Sequence, residues 1–160
     1  MLDGIDGSGK STILSAWADY FKAQGKRVFV LKEYWARYGK HPTPSEVRDF
    51  DVVVSAEPTT VSIGAKIRSE MIRPNSTATP LQIAEAYSQD RQALYQELLI
   101  PLLQEKKIIL QDRGISTSLC YQPLMSAELT MEKILSFPRN QLALDHRPDH
   151  LVIIDVSAET

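Results

Sequence analysis

Residues Gly4-Ile5-Asp6-Gly7-Ser8-Gly9-Lys10-Ser11 match the pattern G-x-x-x-x-G-K-[ST] at every fixed position and run straight into a helical pattern. That spacing suits the capture of a phosphate. Gly4, Gly7 and Gly9 allow backbone angles that other residues avoid, so successive N–H groups can turn inward on one anion. The positive end of the following helix adds to their pull. Lys10 is placed to reach the β- and γ-phosphates of a nucleoside triphosphate and the Ser11 hydroxyl to ligate Mg²⁺, with Ser8 and Thr12 in the same cradle. Asp6 needs another explanation, because an acid inside a loop built for phosphates must serve a different group. A ribose or deoxyribose hydroxyl is the obvious one.

A second Mg²⁺ element is expected at the end of a neighbouring strand. Ile108-Ile109-Leu110-Gln111-Asp112 is an apolar run ending in an acid, so Asp112 is the candidate to hold the metal through water, with Arg113 directly after it. Three further segments carry candidate chemistry: Glu57-Pro58-Thr59-Thr60, Gly64-Ala65-Lys66-Ile67-Arg68, and Ala86-Tyr87-Ser88-Gln89-Asp90-Arg91. Tyr87 and Arg91 are four apart and share a helix face, where a ring and a guanidinium can stack on a base and donate to its carbonyl oxygen. Taken alone, the pair reads more simply as a core tyrosine beside a surface arginine. The chain has no Asn-Lys-x-Asp for guanine, which argues against a switch GTPase.

These residues need a frame to hold them. Apolar runs that stop at turns and restart as amphipathic helices recur along the chain, the pattern of an α/β fold with a parallel sheet. Ser11 to Gln24 carries Ile13, Leu14, Trp17, Ala18 and Phe21 at helical spacing, with Gly25 at the C-terminal cap. Val28 to Leu31, Val52 to Val54, Ile108 to Leu110 and Leu151 to Val156 read as buried parallel strands. Thr79-Pro80-Leu81-Gln82 is a capping box opening a long helix towards Gln104, which Pro101 should kink or bring to the end of its first half, and Glu128 to Leu135 reads as a shorter helix. Residues 33–51 read as an inserted helical excursion with its own helix-start signal at Thr43-Pro44-Ser45-Glu46. Its Tyr34, Trp35, Arg37, Tyr38 and Lys40 could stack on nucleic acid, but an insertion packing its own aromatics onto the domain fits the acidic balance better.

The 160 residues, with 18 Lys plus Arg against 20 Asp plus Glu and a net charge of −2, suit one domain and give no bulk reason to expect nucleic acid or an acidic membrane as partner. The single cysteine, Cys120, cannot form an internal disulfide or a thiolate cluster, so the cytoplasm is the expected compartment. The longest apolar stretches fall far short of the ~20 residues of a spanning helix.

Taken in order, the segments resemble the thymidylate kinase family over essentially the whole chain. The shared features are the Gly-x-Asp-Gly-x-Gly-Lys-[ST] loop, the Glu-Pro element, the apolar-Arg pair at Ile67-Arg68, the aromatic-x-x-Asp-Arg helix, and Asp-Arg-x-x-x-Ser-x-x-x-Tyr-Gln over residues 112–122. The resemblance implies a P-loop NTPase with a three-layer αβα arrangement that transfers a phosphoryl group from ATP, with Mg²⁺, onto dTMP to give dTDP, acting as a homodimer. It further implies that Asp6 contacts the deoxyribose 3′-hydroxyl and that Arg68 and Arg113 hold the acceptor phosphate. Tyr87 stacks on thymine, Arg91 reaches its O4 carbonyl, Ser118 lies near the base, and Tyr121 packs on the sugar and disfavours a 2′-hydroxyl. Glu57 is expected to order metal-bound water or an arginine, since an ionised phosphate acceptor needs no general base. Catalysis is then positioning and charge neutralisation by Lys10, Arg113 and the metal held by Ser11 and Asp112.

Three departures from the family pattern stand out: Gly114 where Tyr or His is usual, the 33–51 insertion, and a phosphate loop without an arginine. Only Met1, Leu2 and Asp3 precede the loop, too few for a buried central strand, and the family's lid and adenine-contacting loop follow the segment where this sequence stops. The domain is therefore expected to be incomplete at both ends and to turn over little substrate alone. Two rivals remain: a deoxynucleoside kinase using Glu57 as general base, and a nucleotide-binding module without catalysis.

Overall fold

The computed structural model describes residues 1–156. Its sheet has five parallel strands in the order β2-β3-β4-β1-β5: β1 (Leu2–Gly4), β2 (Val28–Val30), β3 (Val52–Ala56), β4 (Ile108–Asp112) and β5 (Val152–Ile154). Side chains alternate across a strand, and β3 shows the consequence. Val52 packs with Leu2, Leu110 and Leu14 of helix α1 (Lys10–Ala23) on one face. Val53 joins Trp35, Leu94, Leu98 and Leu102 on the other. Helices thus cover both faces, and the fold is the α/β, three-layer αβα arrangement anticipated from sequence.

Local signals set the helix starts. Helix α2 (Leu31–Tyr38) is followed by α3 (Pro44–Val47), where Glu46 accepts from the Thr43 N–H at 2.8 Å. Helix α4 (Ser62–Lys66) passes into one π turn, Ile67–Met71. Helix α5 (Pro80–Leu94) opens with both bonds of a capping box between Thr79 and Gln82, at 2.8 and 3.2 Å. A π turn, Tyr95–Leu99, then separates α5 from α6 (Ile100–Gln104), which carries Pro101 in its first turn. Proline lacks the N–H for a regular i→i−4 bond, and the widened turn just before it absorbs the mismatch. Helices α7 (Ile115–Tyr121), α8 (Met131–Leu135) and α9 (Gln141–Asp145) follow.

Several expectations need correction. The three residues ahead of the phosphate loop do not fall short of a strand. Leu2–Gly4 pairs with β4 and β5 inside the sheet, and Leu2 is fully buried. The last strand is shorter than the apolar run Leu151 to Val156: β5 covers Val152–Ile154 and pairs in parallel with β1. The excursion starts earlier than residue 33, because β2 turns directly into α2 at Leu31. Its aromatics pack on one another and on the domain: Tyr34 lies against Phe29 and Tyr38, and Trp35 is buried and donates to His41 Nδ1 at 3.1 Å. The helix expected from Glu128 begins at Met131, because Thr130 caps it and Leu129 is tied into a turn with Ser126.

Candidate active site

Ligands of open α/β sheets sit beyond the carboxyl ends of the strands, and there the loops after β1, β3 and β4 join α2, α5 and α7 around a cavity of about 700 Å³. The phosphate loop forms one wall. Gly4 has φ +145°, and a Cβ there would lie 2.8 Å from the Ile154 carbonyl oxygen, so neither the backbone conformation nor the space admits a side chain. Lys10 is buried at the base of the loop, where Nζ donates to the Gly4 and Ile5 carbonyls and, at 3.4 Å, to Ser8 Oγ.

Asp112 ends β4 opposite the loop. Its Oδ2 accepts from Lys32 Nζ at 3.2 Å, while its buried Oδ1 has no partner among the described residues. Asp112, Ser11 and Lys10 line the same cavity. An orphaned carboxylate oxygen in the same cavity as a serine hydroxyl suits Mg²⁺, which takes one or two protein oxygens and completes its shell with water and phosphate. Among the described residues no group of three or more His, Cys, Asp or Glu could hold a metal by itself.

Glu57 and Arg91 form the buried centre of the opposite wall. Arg91 is 1% exposed, and each guanidinium nitrogen has a protein partner. Nε donates to Glu57 Oε2 at 2.7 Å, Nη1 to Asn140 Oδ1 at 2.7 Å and Nη2 to Ser118 Oγ at 2.9 Å. Gln111 occupies the other Glu57 oxygen at 2.8 Å. Burial pushes the Glu57 carboxyl above its ordinary range, against the pull of Arg91. One helical turn away Tyr87 is half-buried, and desolvation raises its hydroxyl. Arg68 is held on the Glu-Pro turn, where Nε donates to the Pro58 and Thr59 carbonyls at 3.2 and 3.1 Å. Asp90 ties that turn to α5, accepting from the Thr59 N–H and hydroxyl at 2.7 Å each.

Arg113 has φ +67°, in the left-handed region that costs a non-glycine residue about 1–2 kcal/mol. A cage of acceptors holds it. Nη1 reaches Asp3 Oδ1 and Thr117 Oγ1 at 3.4 and 3.3 Å, and Nη2 pairs with Asp6. Asp3 in turn accepts from Ser116 and Thr117 of α7.

The structure gathers Asp6, Gly7, Gly9, Lys10, Ser11, Thr12, Glu57, Arg68, Tyr87, Arg91, Asp112, Arg113, Ser118 and Tyr121 around this one cavity. Gly4 and Ser8 stand in the strand and loop behind it. Sequence reasoning missed Asp3, Lys32, Gln111, Thr117 and Asn140. Two of these had a visible signal: Asp3 is an acid at the mouth of the phosphate loop, and Gln111 is a polar residue inside an apolar run. Lys32 and Asn140 had none, since each meets its partner only through the fold.

The family model described as thymidylate kinase matches residues 45–160. The chain belongs to the thymidylate kinase family. It is 27% identical over 158 residues to the thymidylate kinase of Thermoanaerobacter sp. (strain X514), an alignment that takes in 98% of this chain and 64% of that protein. It is 29% identical over 161 residues to the probable thymidylate kinase of Pyrococcus abyssi, covering 98% of this chain and 63% of the relative. The chain thus spans somewhat under two thirds of the length of these relatives. The crystal structure of thymidylate kinase from Ehrlichia chaffeensis superposes with a TM-score of 0.67 at 25% identity, over 96% of this chain and 72% of that one.

Proposed function

We propose that this chain binds ATP with Mg²⁺ and transfers the terminal phosphoryl group to dTMP, giving dTDP. The observation that carries the reading is the single cavity shared by the phosphate loop and by the Tyr87–Arg91–Ser118 wall, which gives donor and acceptor one chamber. Lys10, Lys32, Arg68, Arg91 and Arg113 line it against Asp6, Glu57 and Asp112, a positive excess that suits two phosphorylated ligands in an acidic chain.

In this reading the loop amides and Lys10 take the donor phosphates, with Ser8 and Thr12 beside them, and Lys10 exchanges its carbonyl partners for phosphate oxygens. Ser11 and Asp112 are the residues to hold Mg²⁺, whose bound charge offsets that of the polyphosphate. Arg68 and Arg113 grip the acceptor phosphate; Nη1 of Arg68 has no protein hydrogen bond among the described residues. Tyr87 stacks on the base. Arg91 keeps one free N–H on each terminal nitrogen for the O4 carbonyl, beside Ser118. Asp6 takes the deoxyribose 3′-hydroxyl, and Tyr121 flanks the sugar. A homodimer in the cytoplasm, with neither nucleic acid nor membrane as partner, belongs to the same proposal. No helix among the described residues is long and apolar enough to cross a membrane.

Glu57 favours a phosphate acceptor over a nucleoside. Glu57 is buried and its two oxygens accept from Arg91 and from Gln111, an arrangement that orients a guanidinium rather than one turned toward a substrate hydroxyl. Its part is to hold Arg91. ADP release measured with dTMP, other nucleoside monophosphates and thymidine tests the reading. Turnover with dTMP is expected, and exclusive use of thymidine refutes it.

A further inference from the structure

Lys32 is the cavity's unassigned cation. It sits in the first turn of α2 because β2 enters that helix without a loop, which leaves the lysine at the carboxyl edge of the sheet. Two strand spacings, about 10 Å, separate β2 from β4. The long stem reaches over β3 toward Asp112, whose side chain closes the rest of the gap, and Nζ meets Oδ2 at 3.2 Å. A second cavity of about 240 Å³ opens beside α1, and Ser11, Lys32 and Asp112 line both spaces. The smaller one also has Glu33 and the buried, unpartnered Ser55 Oγ on its wall.

We propose that Lys32 is a resident cation that competes with the divalent metal for Asp112. The assignment rests on the reading of Ser11 and Asp112 as the Mg²⁺ residues. With no metal bound, the ammonium neutralises a carboxylate that would otherwise face the donor's polyphosphate with like charge. A divalent cation on the Oδ1 side of Asp112 repels the ammonium on Oδ2 at short range and favours its departure. Lys32 can yield because its side chain is 47% exposed, and the smaller cavity offers Glu33 and Ser55 Oγ as new acceptors. Lys32 is thereby a positioning residue that sets how much Mg²⁺ the site requires.

The test is equilibrium binding of a fluorescent ATP analogue to the whole chain, in EDTA and across a Mg²⁺ series, for wild type, Lys32→Met, Lys32→Gln and Lys32→Arg. Both neutral variants are expected to bind nucleotide roughly three- to tenfold more weakly in EDTA, and to reach half-maximal binding at roughly three- to tenfold lower Mg²⁺, the scale of one partly exposed charge pair. Lys32→Arg keeps the charge and stays near wild type in both. Thermal melts of the free proteins establish that each variant is folded. Weaker binding by the neutral variants in EDTA and in Mg²⁺ alike, as for a plain phosphate contact, overturns the proposal, and so does no change in either condition. Wild-type nucleotide binding that ignores Mg²⁺ overturns the metal-site reading itself.

Discussion

Glu57→Gln tests the architecture of the acceptor wall. The substitution keeps shape and removes one charge from a pair whose members are 4% and 1% exposed. With Nε and Oε2 at 2.7 Å, the charge centres lie about 4 Å apart, worth about 4 kcal/mol at an effective dielectric of about 20. The Asn140 and Ser118 oxygens stay on Arg91 but carry no charge. Relief of the desolvation that Glu57 suffers returns part of the loss. A net destabilisation of about 3 kcal/mol is therefore expected, within the range for a buried ion stripped of its partner. Arg91→Met strands the opposite charge, but Glu57 can then take a proton. Burial already raises its folded-state pKa above 4.5, and it rises further without the guanidinium, so this variant is least harmed below pH 4.5 and loses stability as pH climbs through the raised value. The double variant leaves no stranded ion. Urea unfolding of wild type, both single variants and the double, followed by the fluorescence of Trp17 and Trp35, should give a coupling of about 2–3 kcal/mol. Additivity within about 0.5 kcal/mol would show that the pair is not the unit described here. In an ADP-release assay Glu57→Gln should lower activity while leaving dTMP as the acceptor.

Three further outcomes follow from local features. Gly64→Ala places a methyl group against Thr59 Oγ1 and 2.6 Å from the Thr59 carbonyl oxygen, so a chemical melt should show a loss of about 1–3 kcal/mol and weaker dTMP binding as the Glu-Pro turn shifts. Lys106→Gly, at an exposed residue with φ +60° after α6, should raise stability by up to about 1 kcal/mol, measured in urea without change in nucleotide affinity. His41 is held neutral, since burial lowers its pKa below 6.5 and Nδ1 accepts from Trp35. Its contribution is intact above pH 6.5 and is lost as pH falls through the lowered value, so pH-dependent unfolding should show a slope there that His41→Gln flattens.

Most of the elements were legible from sequence because their causes are local. A capping box spans four residues, the phosphate loop eight, and Pro101 breaks the helical register within one turn. The Tyr87–Arg91 pair shows where local reasoning stops. Spacing alone favoured a buried ring beside a surface guanidinium, whereas Arg91 is the more deeply buried of the two. What reverses the expectation is three partners, Glu57, Ser118 and Asn140, between 27 and 49 residues away.

By itself, then, the sequence determined the chemistry available: a phosphate loop, an acid closing a strand, an aromatic and a guanidinium one helical turn apart, and too little positive charge to serve polyanions in bulk. Those are properties of residue type and short-range spacing, which backbone geometry converts directly into local structure. Tertiary structure alone decided how the charges are distributed. It turned Glu57 into the anchor of Arg91, made Asp3 part of the cage around Arg113, and brought Lys32 across two strands to Asp112. Charge pairing is settled by distance in space and by the water excluded around it, and neither is a function of separation along the chain.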